Sequence, residues 1–497
     1  MDNEAVMWRQ LFQLDASLEL SLQRQLREQL VAAILDGRVS EQKPLPSSRV
    51  LARHLSVSRN TVVIAYQQLI DENFLIARER QGYFVNRDIL AGRVQGGAPS
   101  PAQDADRCTV EWHSRAVIQP SRLRNIVKPD NWRAFDYPFV YGQPDPSLIP
   151  VNDWRECSRQ ASSVSAIHDW ARDRVDHDLA ELVEQIRLRV LPRRGVFADE
   201  DEVLITLGAQ NALMLVSTLL HGARSVVAME NPGYTDARNM FRMTAGEVRP
   251  IDVDDAGLVV SDALNGCDSI YVTPSHQSPT TATMPLDRRE ALLNKARDID
   301  AVVIEDDYES ETNYLSDPVP ALKSLDSDGR VIYVGSLSKV VAPGLRVGYL
   351  VAPAPVVREL RALRRFGYRH PPTNNQQKLA LFLSLGHYDA LVTRLHKIYR
   401  ERWSVLGDAL NTHLPEASRA PSFGGTAFWV TGPDTLDAQA LYSAALEQSV
   451  LIEPGAVHYH DPDNAPRNTF RLGFSSIDAS RIAEGVARVS KLVRAMS

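Results

Sequence analysis

Apolar residues follow two different patterns along the chain. Between residues 20 and 35 they recur at helical spacing, at positions 22, 26, 30, 33 and 34, and Gly37 ends the pattern. From residue 203 onward, short apolar runs alternate with helical stretches, and the runs cover residues 203–206, 225–229, 270–273, 301–305, 331–335 and 347–351. Alternating strands and helices predict an α/β domain with a largely parallel sheet covered on both faces.

Residues 45–85 predict a helix-turn-helix followed by a β-hairpin. Pro46 and Ser47 suit the start of one helix, residues 60–69 form a second helix, and about three residues join them. Residues 78–85 form the hairpin, with Gly82 near its tip. The second helix of such a motif can enter the major groove of DNA. A plain helical hairpin with solvated arginines is the alternative.

The charge of this region differs from that of the whole chain. The net charge is −7, which by itself argues weakly against nucleic-acid binding, but no acidic residue lies between Glu41 and Asp71. DNA binding depends on the local field at the contact face. The candidate DNA-contacting residues are Ser47, Arg49, Ser58, Arg59, Asn60, Thr61, Tyr66, Arg80 and Gly82.

Length and composition predict a multidomain cytoplasmic protein. A chain of 497 residues suits two or three domains, and 44% hydrophobic residues are ordinary for a globular protein. The three cysteines fit no metal spacing, so we expect no metal. The chain begins without a signal-peptide pattern, and no apolar run is long enough to span a bilayer. The predicted domains are residues 1–88, a flexible Gly- and Pro-containing linker at 89–110, and residues 111–497. Within the last, a large part covers about 140–385 and a small part about 386–497.

Lys339 is the strongest candidate for chemistry. It follows an apolar run and lies close to Ser336 and Ser338, and Arg346 precedes a second apolar run. A lysine in such surroundings is partly desolvated, which lowers the pKa of its amine toward reactivity. A lysine for a Schiff base and an arginine for a phosphate are what a pyridoxal 5'-phosphate (PLP) site requires. A solvated loop lysine is the alternative.

Other strand ends carry compatible residues, and ligands of parallel sheets bind beyond the carboxyl ends of the strands. Gly208 precedes a helix whose free N–H groups could bind a phosphate, although a plain turn is the alternative. Tyr234 could stack on a planar cofactor or pack in the core. Either Asp306 or Asp307 could pair with a protonated pyridine nitrogen.

The N-terminal pattern resembles a known family. The pattern L-P-S-x-R-x-L-A-x-x-L-x-V-S-R-N-T-V-x-x-A-Y-x-x-L, part of residues 20–88, resembles the GntR family of winged helix-turn-helix regulators almost residue for residue. The lysine, arginine, aspartate, tyrosine and glycine positions across residues 112–497 resemble fold-type I aminotransferases. The combination resembles the MocR/GabR regulators, whose own variants are similar to residues 142–150, 273–277 and 305–308.

This resemblance implies a fold and a set of roles. The fold would be a mostly parallel seven-stranded sheet with a smaller α+β C-terminal domain and an N-terminal winged helix. Lys339 would form the internal aldimine, Asp306 rather than Asp307 would pair with the pyridine nitrogen, Tyr308 would bond the 3′-oxygen and Tyr234 would stack on the ring. The phosphate would be held by Gly208, Ala209, Gln210, Ser336, Ser338 and Arg346. Arg471, in a strand-like run, would bind an effector carboxylate, with a structural ion pair as the alternative.

The chain departs from that family at two places. Residues 173–178 replace a Tyr-Gly-Asp-Pro-x-Gly turn, so the tyrosine that reaches the partner subunit's cofactor phosphate in aminotransferases is absent. Thr281 stands where Pro-Thr-Gly usually has its glycine. Both changes make efficient turnover doubtful, because catalysis depends on accurate positioning.

The expected function is a PLP-dependent transcription regulator, with DNA and a small amine or amino acid as partners. The effector would act by aldimine exchange at Lys339 in a homodimer that is head-to-tail by resemblance. A working aminotransferase with an accessory DNA-binding domain is the alternative, and a regulator that has lost PLP is a third hypothesis.

Overall fold

The computed structural model divides the chain into two units, Met1–Glu111 and Trp112–Ser497. It describes residues 8, 10–18, 20–89, 110–315, 319–419 and 424–496. Residues 90–109, nearly all of the predicted linker, lie outside the described residues, so the linker stays a prediction. Within the described residues, no helix combines the length and the apolar character needed to cross a membrane.

The N-terminal unit is a winged helix-turn-helix, as predicted. Its elements are α1 (Leu22–Leu35), α2 (Ser48–Leu55), α3 (Arg59–Asp71), β1 (Leu75–Arg78) and β2 (Gly82–Val85). The two strands pair antiparallel. The helically spaced residues Leu26, Leu30 and Ile34 are fully buried, which confirms the apolar face read from the sequence.

Serine hydroxyls define the starts of both helices of the motif. The side chain of Ser47 caps α2 by accepting a hydrogen bond from the Val50 amide, and that of Ser58 caps α3 by accepting one from the Thr61 amide at 3.1 Å. Such caps satisfy amides that have no partner within the helix. The left-handed Ser56, with φ of 59°, makes the turn between the helices.

Tyr66 corrects one expectation from the sequence. Its side chain is 1% exposed, and its hydroxyl donates to the Pro46 carbonyl at 2.9 Å. Its ring contacts Tyr83 edge-on. Helical spacing places Tyr66 on the same face as Val62 and Leu69, both fully buried, so it holds α3 against the wing instead of contacting DNA.

Two substitutions of Ser58 test whether its side chain caps α3. We expect Ser58→Ala to lower the free energy of unfolding by about 1 kcal/mol, because the Thr61 amide loses its acceptor. Ser58→Asp keeps an acceptor and should retain wild-type stability. Chemical denaturation of both variants checks this, and equal stability of Ser58→Ala and wild type would contradict the capping role.

The C-terminal unit is built on a sheet of eight strands in the order β4-β11-β10-β9-β8-β5-β6-β7. Seven of these have four residues or more, as expected, and the eighth, β7, is a two-residue addition. The strands are β4 (Val203–Thr206), β5 (Val226–Asn231), β6 (Glu247–Asp254), β7 (Gly257–Leu258), β8 (Ser269–Val272), β9 (Val302–Asp306), β10 (Val331–Ser336) and β11 (Gly348–Val351). Neighbouring strands from β10 to β6 pair parallel, whereas β11 is antiparallel to both neighbours.

Helices cover both faces of this sheet. In chain order, the helices of this unit up to residue 384 are α4 (Trp112–Arg115), α5 (Val151–Ala161), α6 (Val164–Trp170), α7 (Ala180–Gln185), α8 (Ala209–Leu220), α9 (Thr235–Thr244), α10 (Leu286–Asp298), α11 (Leu322–Leu325), α12 (Ser338–Val341), α13 (Ala354–Tyr368) and α14 (Thr373–Ser384). Every residue of β4, β8 and β11 is buried. Burial on both faces explains why these strands are continuous apolar runs without alternation.

The remaining elements form a smaller α+β part. Its helices are α15 (His387–His413), α16 (Ala438–Glu447) and α17 (Ala479–Met496). Its sheet has the order β12-β13-β16-β15, formed by Ser418–Arg419, Ala427–Thr431, Thr469–Gly473 and Glu453–Pro454. A separate parallel pair joins β3 (Tyr137–Pro138) to β14 (Val450–Leu451).

Candidate functional site

A cavity of about 360 Å³ opens at the carboxyl edge of the main sheet. It gathers residues from five strand ends and from the small sheet. Of the residues predicted from the sequence, Ala209, Gln210, Tyr234, Asp306, Tyr308, Ser336, Ser338, Lys339, Arg346 and Arg471 line it. Strand polarity explains the gathering, since parallel strands end at one edge and β11 begins there.

Lys339 lies on α12, the short helix that follows β10. Its Nζ donates to the Tyr141 hydroxyl at 3.0 Å and lies 4.3 Å from the centre of the Tyr141 ring and 5.1 Å from that of Tyr308. Burial lowers the pKa of Lys339, and the nearby Glu309 carboxylate partly opposes that shift. A lowered pKa makes the neutral, nucleophilic amine more accessible.

Asp306, the last residue of β9, and Asp307, which follows it, have different surroundings. Asp306 lines the cavity, where its Oδ2 accepts a hydrogen bond from Tyr271 at 2.8 Å and its buried Oδ1 has no hydrogen-bond partner. Burial raises the pKa of Asp306 to about 7. Asp307 instead pairs with Arg194 at 2.7 Å, and although burial opposes its ionisation, Arg194 holds the pKa of Asp307 below its ordinary value.

The orphan oxygen of Asp306 is a test of whether PLP fits. A buried carboxylate without a partner is unfavourable, and a cationic ring N–H is the kind of donor that would stabilise it. Both donors to Asp307, Arg194 Nε at 2.7 Å and the Tyr333 hydroxyl at 2.9 Å, bond its Oδ2. Its Oδ1 also lacks a hydrogen-bond partner, but Asp307 does not line the cavity and Arg194 balances its charge. The geometry therefore favours Asp306 over Asp307 as the partner of a pyridinium nitrogen.

A second group of residues at the cavity is suited to a phosphate. Gly208 has φ of +85° and caps α8, whose first residue Ala209 presents a free helix N-terminus. A Cβ on Gly208 would lie 3.2 Å from Arg346 Nη2, so the glycine lets the guanidinium approach. Ser336 lines the cavity beside Arg346. The Ser338 hydroxyl already bonds both backbone groups of Val347.

Hydrogen bonds fix both tyrosines that were predicted to contact the cofactor. The Tyr234 hydroxyl donates to Asp236 at 3.0 Å and accepts from Gln210 at 2.9 Å, which holds the ring on the cavity wall. The Tyr308 hydroxyl donates to the His276 carbonyl at 2.8 Å. Both tyrosines line the cavity, and Gln210 also bonds Asp236.

Arg471 forms the structural ion pair that was one of the two alternatives, and its effector-carboxylate role stays a prediction. It lines the cavity, is 2% exposed and stacks 3.8 Å from the centre of the Tyr141 ring, yet its Nη2 is ion-paired with Glu453. Although burial opposes ionisation, Arg471 and His458 lower the pKa of Glu453 to about 2. Arg471 therefore faces the cavity with its charge already neutralised, and its buried Nε has no partner.

Several cavity residues were missed by the sequence analysis. Asn125, Ile126 and Lys128 come from a segment before the first strand, and Tyr141 precedes the Gly142 turn. Tyr141 could have been found, because it adjoins the motif at residues 142–150. Nothing in the pattern around Lys128 indicates a site.

The candidate DNA-contacting residues, Tyr66 apart, lie at the surface of the winged helix. Ser47, Arg49, Ser58, Arg59, Asn60, Arg80 and Gly82 are exposed and Thr61 is half-buried. Arg49, Arg59 and Arg80 form no ion pair with any residue that the structure describes. Free guanidinium groups at the start of α3 and at the wing suit contacts to phosphates and base edges.

Both parts match established families. Residues 22–85 match the family of bacterial regulatory proteins called gntR, and residues 144–489 match aminotransferase class I and II. The HTH-type transcriptional regulator TauR of Rhodobacter capsulatus is 43% identical over 95% of this chain and 97% of its own. The chain belongs to the MocR/GabR-type regulators. Its large domain has the fold of PLP-dependent transferases, and PLP is the cofactor of that family.

Another regulator and a solved aminotransferase structure are also similar to this chain. The pyridoxine biosynthesis transcriptional regulator PdxR of Corynebacterium glutamicum is 31% identical over 95% of this chain and 96% of its own. Among solved structures, kynurenine aminotransferase of Pyrococcus horikoshii superposes with a TM-score of 0.70 at 25% identity, covering 80% of this chain and 99% of that one. The aminotransferase-like fold and the winged helix expected from the sequence are thereby confirmed.

Asparagine substitutions at Asp306 and Asp307 should change the free energy of unfolding of the cofactor-free regulator in opposite directions. Because the pKa of Asp306 is raised in the folded state, that state binds more protons than the unfolded one between about pH 4 and 7, and stability falls as pH rises through this window. Asp306→Asn should therefore increase the free energy of unfolding above pH 7, by roughly 2–4 kcal/mol, and leave it unchanged near pH 4.

Asp307→Asn provides the contrast. It removes the partner of the buried Arg194 and should cost about 3–5 kcal/mol at neutral pH. Urea unfolding of both variants from pH 4 to pH 8 measures the two effects. Destabilisation of Asp306→Asn at every pH would contradict the assignment of a vacant carboxylate.

Proposed function

We propose that this protein is a transcription regulator whose DNA binding responds to a small amine or amino acid bound at Lys339. One observation carries the proposal: a cavity lined by that half-buried lysine and by a carboxylate with one unpartnered oxygen occurs in the same chain as a winged helix whose exposed Arg49, Arg59 and Arg80 form no ion pair with any described residue. We place the protein in the cytoplasm, together with the DNA that it binds.

Different residues of the cavity would hold different parts of the cofactor. When bound, PLP supplies an aldehyde carbon that Lys339 or a primary amine can occupy reversibly. Asp306 would keep the ring nitrogen protonated, and Arg346, Ser336 and the start of α8 would hold the phosphate. The lowered pKa of Lys339 favours its neutral amine. The neutral amine is the form that can exchange reversibly with a competing amine.

Two features favour sensing over turnover. Residues 173–178, which replace the usual tyrosine turn, are tied to the chain's own arginines: Asp173 to Arg369 and Asp178 to Arg364. Thr281 keeps a left-handed φ of 65° where the family usually has glycine, which is strained for a β-branched residue. Neither residues 173–178 nor Thr281 line the cavity around Lys339, so both departures are compatible with effector binding there.

A working aminotransferase is the second candidate, favoured by the complete set of cavity residues. The two functions differ in turnover. An amino donor incubated with a keto-acid acceptor should give no more than one equivalent of product per subunit if the protein is a sensor. Many cycles would establish the enzyme.

Lys339→Ala should abolish the effect of the effector on DNA affinity. We expect wild-type, PLP-loaded protein to bind the upstream region of its own gene with strong salt dependence, and a panel of amines and amino acids to contain members that change both its visible spectrum and its DNA affinity. Lys339→Ala should lose both responses, whereas Lys491→Ala, an exposed lysine on α17, should keep them. Fluorescence anisotropy and absorbance titrations measure the two effects.

Arg59→Gln tests the DNA face separately. It should weaken DNA binding and reduce the salt dependence by about one unit of slope, with the visible spectrum unchanged. DNA binding that shows no sequence preference and no effector response would overturn the proposed function.

A further inference from the structure

The cavity contains a second lysine that the proposed function does not use. Lys128 lines the cavity together with Lys339, and the position that a Cβ on Gly142 would take lies 3.5 Å from Lys339 Nζ and 3.6 Å from Lys128 Nζ. The two nitrogens are therefore less than twice that distance apart. A small molecule with its amine at Lys339 can place a second group at Lys128.

Lys128 is held in place without a counter-ion. Its Nζ donates to the Tyr141 carbonyl and lies 5.6 Å from the centre of the Tyr141 ring. No carboxylate of the described residues lies within ion-pair distance of it. The segment that carries it is anchored just before Lys128, where Asn125 donates to Asp236 and the Arg124 carbonyl accepts from Asn239.

With Arg346 assigned to the cofactor phosphate, the neighbouring charges leave Lys128 available to bind an anionic group of an effector. Arg471 is neutralised by Glu453, whose other partner is His458 at 3.0 Å. Asp236 is occupied by Gln210, Tyr234 and Asn125. Burial lowers the pKa of Lys128 to about 8, and Glu453 and Asp236 act against that shift. An anion that entered here would stabilise the charged ammonium, which gains its first anionic partner.

We propose that Lys128 recognises the acidic group of a small amino-acid effector whose amine is at Lys339. This inference rests on the proposed function and deepens it. Arg471 contributes its unpartnered Nε and the flat face above Tyr141, while Glu453 keeps its net charge balanced. Effectors with an acidic group are thereby selected over neutral amines of the same length.

The test compares 3-aminopropanoate with 3-aminopropan-1-ol, which share a chain length and an amine. PLP-loaded wild type, Lys128→Met, Lys128→Arg and the exposed control Lys491→Met are titrated by absorbance and by calorimetry. Lys128→Met should weaken 3-aminopropanoate binding about ten- to hundredfold and leave the amino alcohol within about twofold. Lys128→Arg should recover part of the loss, and Lys491→Met should match wild type.

Three results would overturn the inference. Equal losses for both ligands would make Lys128 structural, unchanged binding of both would make it irrelevant, and a selective loss of PLP affinity would assign it to the cofactor phosphate. Calorimetry separates this inference from the proposed function, because it detects binding without a spectral change. If absorbance never responds but calorimetry shows Lys128-dependent binding, exchange at Lys339 is wrong and the role of Lys128 stands; absence of all binding would refute both.

Discussion

Strand direction is the constraint on which the site depends. Five neighbouring strands of the main sheet run parallel, so their carboxyl ends meet at one edge. The antiparallel β11 runs back from that edge, which brings Arg346 to the same place as Lys339 and Asp306. If any one strand ran in the other direction, its terminal residue would lie at the opposite edge of the sheet and could not line this cavity.

Burial of charge is the second constraint, and it explains the three consecutive acids at the end of β9. Successive residues of a strand point to opposite faces, so Glu305 and Asp307 share one face and Asp306 has the other. Glu305 accepts two backbone hydrogen bonds of 2.8 Å, from Leu322 and Lys323. Asp307 has Arg194. Asp306 and Asp307 each keep one oxygen without a hydrogen-bond partner, but Asp306 is the one of the two that lines the cavity, and it has no arginine beside it. A buried carboxylate that is unfavourable by itself can therefore contribute to binding a cationic group.

The same principle distinguishes the two arginines near the cavity. Arg346 is exposed and donates to the Leu207 carbonyl, and no carboxylate among the described residues pairs with it, so its positive charge stays available for a phosphate. Arg471 is buried, and a buried guanidinium without a carboxylate would be costly, so Glu453 accompanies it. That pairing shifts anion recognition toward Lys128, which lines the same cavity and has no carboxylate of the described residues within ion-pair distance.

The sequence by itself determined the order of elements, the winged helix, the parallel sheet and the residues at the strand ends. These follow from local periodicity, from caps such as Ser58 and from motifs around Lys339, all of which act over a few neighbouring residues. Only the tertiary structure decided which groups are paired. It placed Tyr66 in a core, separated Asp306 from Asp307, joined Arg471 to Glu453 and brought Lys128 next to Lys339. The physical reason is that burial and ion pairing depend on atoms brought together from distant parts of the chain, and no local pattern records them.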